Sequence, residues 1–228
     1  MRRERAGAPP TSLEELQARA AELRGVLVDD LAAEAGLVLP REALHQKGKL
    51  GELCEWWLGA TAGSAKLHDF PQLGVELKTI PVDETLRPRE TTFVCSLHLQ
   101  HADRMEWASS WVRHKLEHVL WLPVISSDGA PRRFGTALLW RPTPEQEAVL
   151  RDDFDEIVGM IGAGGIESVS AHLGRWLQLR PKAQDRNDRT LVVGPEGELL
   201  ETVPRGFYLR TRLTGALLRD PEALPDDE

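Results

Sequence analysis

Cysteine is nearly missing from this chain: Cys54 and Cys95 are its only two. Neither has a Cys or His neighbour at metal-ligand spacing, so a disulfide framework and a zinc site are excluded and two free, buried thiols are expected. Also absent is any stretch approaching the ~20 apolar residues of a membrane helix, and no membrane partner is expected. Met1-Arg2-Arg3-Glu4-Arg5 leads into Ala, Gly and Pro rather than an apolar run. A signal peptide is therefore not expected, and a cytoplasmic location is. There is no internal repeat and no low-complexity region beyond the two ends. Finally, a basic excess is lacking: the formal net charge is −8 and the isoelectric point about 5.5. Non-specific coating of nucleic acid is thereby excluded.

What is there reads as an ordinary globular protein. The 228 residues, 41% hydrophobic and 28% charged, suffice for one large domain or two small lobes sharing a core. Charge is unevenly spread. Residues 145–156 carry six acids against one arginine, and residues 219–228 carry five acids against one arginine. Outside those two segments the net charge is +1, and residues 172–212 carry eight cations against five acids. A locally positive binding surface is thus compatible with an acidic protein.

Local patterns set the expected organisation. Residues 1–10 and the Pro/Asp/Glu-rich tail at 220–228 are expected to be disordered, with a single domain of two lobes over 11–219. Ser12 and Glu15 form a capping box for a helix carrying Leu13, Leu16, Ala20 and Leu23, which Gly25 closes. Further helices are expected over 28–36 and 50–59. Period-two alternation marks strands at 75–80 and 91–99, and short apolar runs mark buried strands at 119–125 and 136–140. Thr143-Pro144-Glu145-Gln146 opens the strongest amphipathic helix, with Leu150, Phe154, Ile157, Val158 and Ile161 on its apolar stripe. Strands at 176–180 and 207–211 and a terminal helix at 214–218 complete an α/β or α+β pattern around a central sheet.

The chemistry is expected in residues 68–78, where Asp69 is followed after six residues by Glu76 and after one more by Lys78. On a strand, Glu76 and Lys78 project from one face. Asp69 approaches from the preceding turn, which Pro71 and Gly74 shape. Two converging carboxylates make a hard oxygen site suited to Mg²⁺. A neighbouring lysine can orient or deprotonate water, or neutralise charge on a reacting phosphate. By itself the pattern is also that of a solvated charge pair on a strand face.

The surrounding blocks carry more information. Glu55-Trp56-Trp57-Leu58-Gly59, Asp69-Phe70, Leu73-Gly74-Val75-Glu76-Leu77-Lys78-Thr79-Ile80-Pro81, Glu90-Thr91-Thr92-Phe93, Val112-Arg113-His114-Lys115-Leu116, Leu177-Gln178-Leu179-Arg180-Pro181-Lys182 and Pro204-Arg205-Gly206-Phe207-Tyr208 occur in that order. Together they resemble the MutH family, the Mg²⁺-dependent endonucleases of mismatch repair that nick the unmethylated strand of hemimethylated GATC DNA. The resemblance implies a restriction-endonuclease-like fold: a central mixed sheet flanked by helices, in two lobes that form a DNA-binding cleft. It implies Asp69 and Glu76 as metal ligands, with Mn²⁺ able to substitute for Mg²⁺, and Lys78 as the catalytic lysine. Glu55 matches a further active-site carboxylate, and Lys115 a lysine near the scissile phosphate. Lys47 is assigned to a DNA-contacting loop. Arg180, Lys182 and Tyr208, with Phe93 beside them, are the implied readers of the GATC site, Tyr208 sensing adenine methylation. MutL is implied as activator, MutS indirectly, and the protein as a monomer.

Three segments depart from the family pattern: the charged residues 185–197, where a longer helix is expected, the acidic tail, and the connection 99–109. Two other readings remain open at this point. One is a GATC-specific type II restriction enzyme; the other is a DNA-binding module that has lost catalysis.

Overall fold

The computed structural model describes residues 8–39, 43–63, 66–127, 129–183, 185 and 187–226, with backbone alone at 43–47. The chain divides into two compact units. One runs up to Arg89 and adds His118–Arg141; the other comprises Glu90–Glu117 and everything from Pro142 on. Among the described residues no helix is long and apolar enough to cross a membrane.

The first unit is a layer of helices on a mixed sheet. Helix α1 (Leu13–Glu22) starts where expected, the Ser12 hydroxyl accepting from the Glu15 amide at 3.1 Å. It is followed by α2 (Val28–Glu34) and the longer α3 (Ala43–Leu58). Strand β1 (Glu76–Val82) pairs in parallel with β3 (Val119–Ile125), which pairs antiparallel with β4 (Arg133–Phe134) and β5 (Leu138–Trp140). Leu77, Leu120, Leu122, Val124 and Phe134 close one core with Leu16, Leu23, Leu31, Leu53 and Leu58 of the helical layer. Val75 and Leu77 thus meet the helices, which leaves Glu76 and Lys78 on the opposite face of β1.

The second unit is built on an antiparallel sheet in the order β2 (Thr92–Ser96), β9 (Arg205–Leu209), β6 (Leu177–Pro181). A separate hairpin joins β7 (Thr190–Val193) to β8 (Leu199–Thr202). Helix α5 (Pro144–Gly162) carries the full capping box between Thr143 and Gln146, and its Phe154 ring lies 5.6 Å from Phe207 of β9. Two short helices, α4 (Trp111–Leu116) and α6 (Thr211–Leu217), complete the unit. The fold is therefore mixed α/β, but among the described residues the strands fall into three sheets rather than one central sheet.

Other expectations need revision. Residues 1–7 lie outside the described residues, but Ala8 is held: Arg19 donates to its carbonyl at 2.6 Å. The acidic tail is held too, at least from Pro221 to Pro225. The Gln146 amide donates to the carbonyls of Pro221 and Ala223, both at 2.9 Å, and the Trp176 indole donates to Pro225 at 3.0 Å. These contacts run through backbone carbonyls, which every residue carries. Both cysteines are free and buried, as expected.

One acid behaves unlike its neighbours. Asp153, in the middle of the acidic stretch of α5, is only 5% exposed. Its carboxylate accepts from the amides of Arg175, Trp176 and Leu177 at 2.6, 2.6 and 2.7 Å. It pins the start of β6 to α5. Gly174 just before has φ +79°, and a Cβ there would sit 2.0 Å from the Leu177 carbonyl oxygen, so the approach admits no side chain.

Candidate active site

The spacing between Asp69 and Glu76 is the length of a tight hairpin loop. Phe70 and Val75 form an antiparallel bridge, their amides and carbonyls exchanging bonds of 2.9 and 3.3 Å. Residues 71–74 make the turn between them, with Gly74 at φ +62°, a conformation that favours glycine. Closing that bridge sets Asp69 opposite Glu76. The Leu77 amide then donates to Asp69 Oδ2 at 2.8 Å, fixing the carboxylate against β1.

Glu76 is the more unusual group. It is 4% exposed, and its Oε1 lies 2.8 Å from Lys78 Nζ. A carboxylate this deep requires a cationic partner, and the period-two geometry of β1 supplies one two residues on. The Glu76 amide donates to the His118 carbonyl at 3.0 Å, so the strand is fixed from the β3 side as well. The site thus has a lysine against a buried carboxylate, with a second carboxylate opposite.

Glu55 lies half-buried near the end of α3. Its carbonyl accepts from the Gly59 and Ala60 amides at 3.0 and 2.9 Å, and the next amide, of Thr61, donates to the Asp69 carbonyl at 3.0 Å. The end of α3 is thereby tied to the turn that carries Asp69. Glu55 and burial together push the neighbouring Cys54 thiol upward, burial being the larger cause, so that thiol is inert at neutral pH. The Asp69 and Glu76 carboxylates offer hard oxygen donors of the kind a divalent cation takes.

Lys47 does not lie in a loop as expected. It falls within α3, and its side chain is outside the described residues.

The remaining candidates belong to the second unit. Lys115 sits in the last turn of α4, its Nζ 5.2 Å from the Trp111 ring centroid. That helix is held by Arg113, whose Nε is 2.7 Å from Glu147 Oε1 on α5, while the Trp107 indole donates to the same oxygen at 3.1 Å. Phe93, Arg180, Lys182 and Tyr208, spread over 116 residues of sequence, come together on the outer face of the three-stranded sheet. Register pairs Phe93 with Tyr208, and their rings meet edge to face with centroids 5.2 Å apart. Arg180 stacks over Tyr208 at 5.9 Å and Lys182 over Phe93 at 4.9 Å, both within cation–π range. Phe207 and Leu209 turn the other way, into the core. Burial raises the Tyr208 hydroxyl above its ordinary value, so the ring stays neutral through the physiological range.

A small residue makes this cluster possible. A Cβ at Gly206 would sit 2.8 Å from Phe93 Cε2 and 2.9 Å from the Cys95 carbonyl oxygen, so the Phe93 ring occupies the space a side chain would need.

Sequence reading missed Gln178, the register partner of Tyr208 on β6 and buried beside it. It also overcounted the cations available to a ligand. Arg205 donates to the Val169 carbonyl, Arg210 to those of Ala171, Leu173 and Gly174, and Arg212 to that of Arg175. These arginines clamp the loop before β6.

Comparison with known proteins gives a consistent answer. The family model described as DNA mismatch repair enzyme MutH matches residues 58–153. Proteins named DNA mismatch repair protein MutH from Escherichia coli O1:K1 / APEC, Escherichia coli O139:H28 and Shigella boydii serotype 18 are each 48% identical to this chain over 213 residues. The alignment covers 92% of the chain and 93% of each relative.

Proposed function

The chain belongs to the MutH family of DNA mismatch repair enzymes, and from that premise we propose a Mg²⁺-dependent endonuclease that nicks the unmethylated strand at hemimethylated GATC sites. The observation that carries the reading is the hairpin closure that sets Asp69 opposite the buried Glu76, with Lys78 on the Glu76 carboxylate. Residues 11–219 act as one endonuclease domain of restriction-endonuclease-like fold. The first unit supplies the chemistry and the second reads the bases. The protein works as a cytoplasmic monomer, with MutL as activator and MutS acting through it.

Asp69 and Glu76 would hold the metal, Mg²⁺ or Mn²⁺, which when bound would supply Lewis-acid chemistry at the phosphate. Lys78 holds a positive charge at the reacting centre, where it orients the attacking water and offsets charge developing on the phosphate. Glu55 is a further acid of the site, and Lys115 meets the scissile phosphate. Lys47 contacts the DNA backbone. Arg180 and Lys182 suit guanine O6 and N7 in the major groove, and Phe93 supports them. Tyr208 lies against adenine, where an N6-methyl group would collide with the ring and remove an amino hydrogen.

Nicking of plasmids bearing unmethylated, hemimethylated and fully methylated GATC sites tests this, with Mg²⁺, with and without MutL. The expected result is a nick confined to unmethylated strands and stimulated by MutL. Double-strand cleavage indifferent to MutL would replace the proposal with a restriction enzyme. In the same assay Tyr208→Ser is expected to cut fully methylated sites while still cutting unmethylated ones. A mutant with the wild-type discrimination ratio would make Tyr208 a packing residue.

A further inference from the structure

An arginine can discriminate between bases only if its guanidinium is presented in the right plane. Arg180 is exposed on the sheet face, and a long exposed side chain gives up ~2 kcal/mol of rotamer entropy when it is fixed on a ligand. Here two contacts fix it beforehand. Its Cζ lies over the Tyr208 ring, 5.9 Å from the centroid, and its Nη1 donates to the Thr91 hydroxyl oxygen at 3.0 Å.

Thr91 directly precedes β2, whose Thr92 pairs with Leu209 of β9, so the hydroxyl is mounted on the sheet rather than on a loose loop. The guanidinium carries five N–H donors on three nitrogens. Thr91 engages one nitrogen; among the described residues no other hydrogen bond to this guanidinium occurs. The edge formed by Nε and Nη2 is left for a bidentate contact to a base.

We propose that Thr91 is a positioning residue for base discrimination: its hydroxyl holds Arg180 in the orientation that reads the site. The inference rests on the reading of Arg180 as a base contact. Thr91 touches the arginine and not the DNA, so it acts by preorganisation, which lowers the entropic cost of recognition.

The test compares kcat/KM on GATC duplexes with that on duplexes altered at one base pair, for the wild type, Thr91→Val, Thr91→Ser, Arg180→Ala and the Thr91→Val/Arg180→Ala double variant. Thr91→Val preserves shape and removes the acceptor. The loss of one such hydrogen bond is expected to lower the discrimination ratio by about 3–10-fold with an unchanged Tm. Thr91→Ser keeps the hydroxyl and is expected within about twofold of the wild type. On the Arg180→Ala background, Thr91→Val is expected to add nothing, because its partner is already gone. A wild-type ratio in Thr91→Val alongside a reduced one in Arg180→Ala overturns the role of Thr91 and spares that of Arg180. A wild-type ratio in Arg180→Ala removes the premise, and the positioning role with it. A loss in Thr91→Ser as large as that in Thr91→Val would show that keeping the hydroxyl does not preserve discrimination, so the hydrogen bond is not what orients Arg180, which also overturns the proposal.

Discussion

Glu76→Ala and Asp69→Ala are each expected to reduce nicking by at least ~10²–10³-fold while GATC duplexes still bind. The reason lies in how the two carboxylates are held. Asp69 is fixed by the Leu77 amide and Glu76 by Lys78 and burial, so neither can swing over to replace the other. Removing one takes away both charge and geometry from a site suited to a hard cation. Glu76→Ala also strips Lys78 of its carboxylate, so Glu76→Gln serves as the shape-preserving control. Lys78→Ala is expected to lower the rate severely with little change in affinity, because the proposed role puts that lysine's charge on the reacting phosphate rather than on recognition. Single-turnover nicking with Mg²⁺ and with EDTA, paired with a binding assay, checks all of these. Full cleavage in EDTA, or wild-type nicking by either alanine variant, would end the two-carboxylate mechanism.

The second large effect concerns stability. Asp153→Ala is expected to destabilise the protein by about 3–5 kcal/mol, because three amides lose a charged acceptor and stay away from water. Asp153→Asn is expected to cost about half as much. Its single oxygen can still accept from Trp176 and Leu177, while its NH₂ group faces the Arg175 amide. Urea denaturation of both variants measures this. A cost below ~1 kcal/mol for Asp153→Ala would mean that water or a backbone shift satisfies those amides. If the variant folds, weaker base discrimination is also expected, since Asp153 pins the start of the strand that carries Arg180.

Much of the local structure was legible because the signals were strong and close in sequence. Strand β3 matches its apolar run at both ends, and α5 starts at its capping box and ends at its glycines. The approach of Asp69 to β1 was legible for the same reason, since Pro71 and Gly74 mark a turn before the alternating segment, while the bridge that closes it was not read. The aromatic and cationic cluster on the three-stranded sheet was not legible from pattern. Phe93, Arg180 and Tyr208 lie on three strands whose register no local rule specifies, and only family resemblance singled them out. The β7–β8 hairpin had a usable signal that was overlooked, with Thr190-Leu191-Val192-Val193 and Leu199-Leu200 flanking a Gly-Pro turn. Asp153 escaped because charge was read by segment. Its place between Leu150, Phe154 and Ile157 on the apolar stripe of α5 was the clue that one acid of the stretch had to be buried.

The arginine clamp before β6 has a consequence for ionic strength. Guanidinium groups bonded to carbonyls within the protein keep their charge but commit donors inward, so Arg205, Arg210 and Arg212 are expected to make fewer direct bonds to phosphates. Arg180 and Lys182, the proposed base readers, face guanine rather than phosphate on that reading. With Lys115 as the second unit's proposed phosphate contact, that unit's contribution to the log–log salt slope is expected to be about −1, against about −4 if the clamp arginines also neutralised phosphates. An acidic protein with few cations to spare should leave non-cognate DNA readily at physiological salt, and its residence on a chromosome should be governed by the sites it recognises.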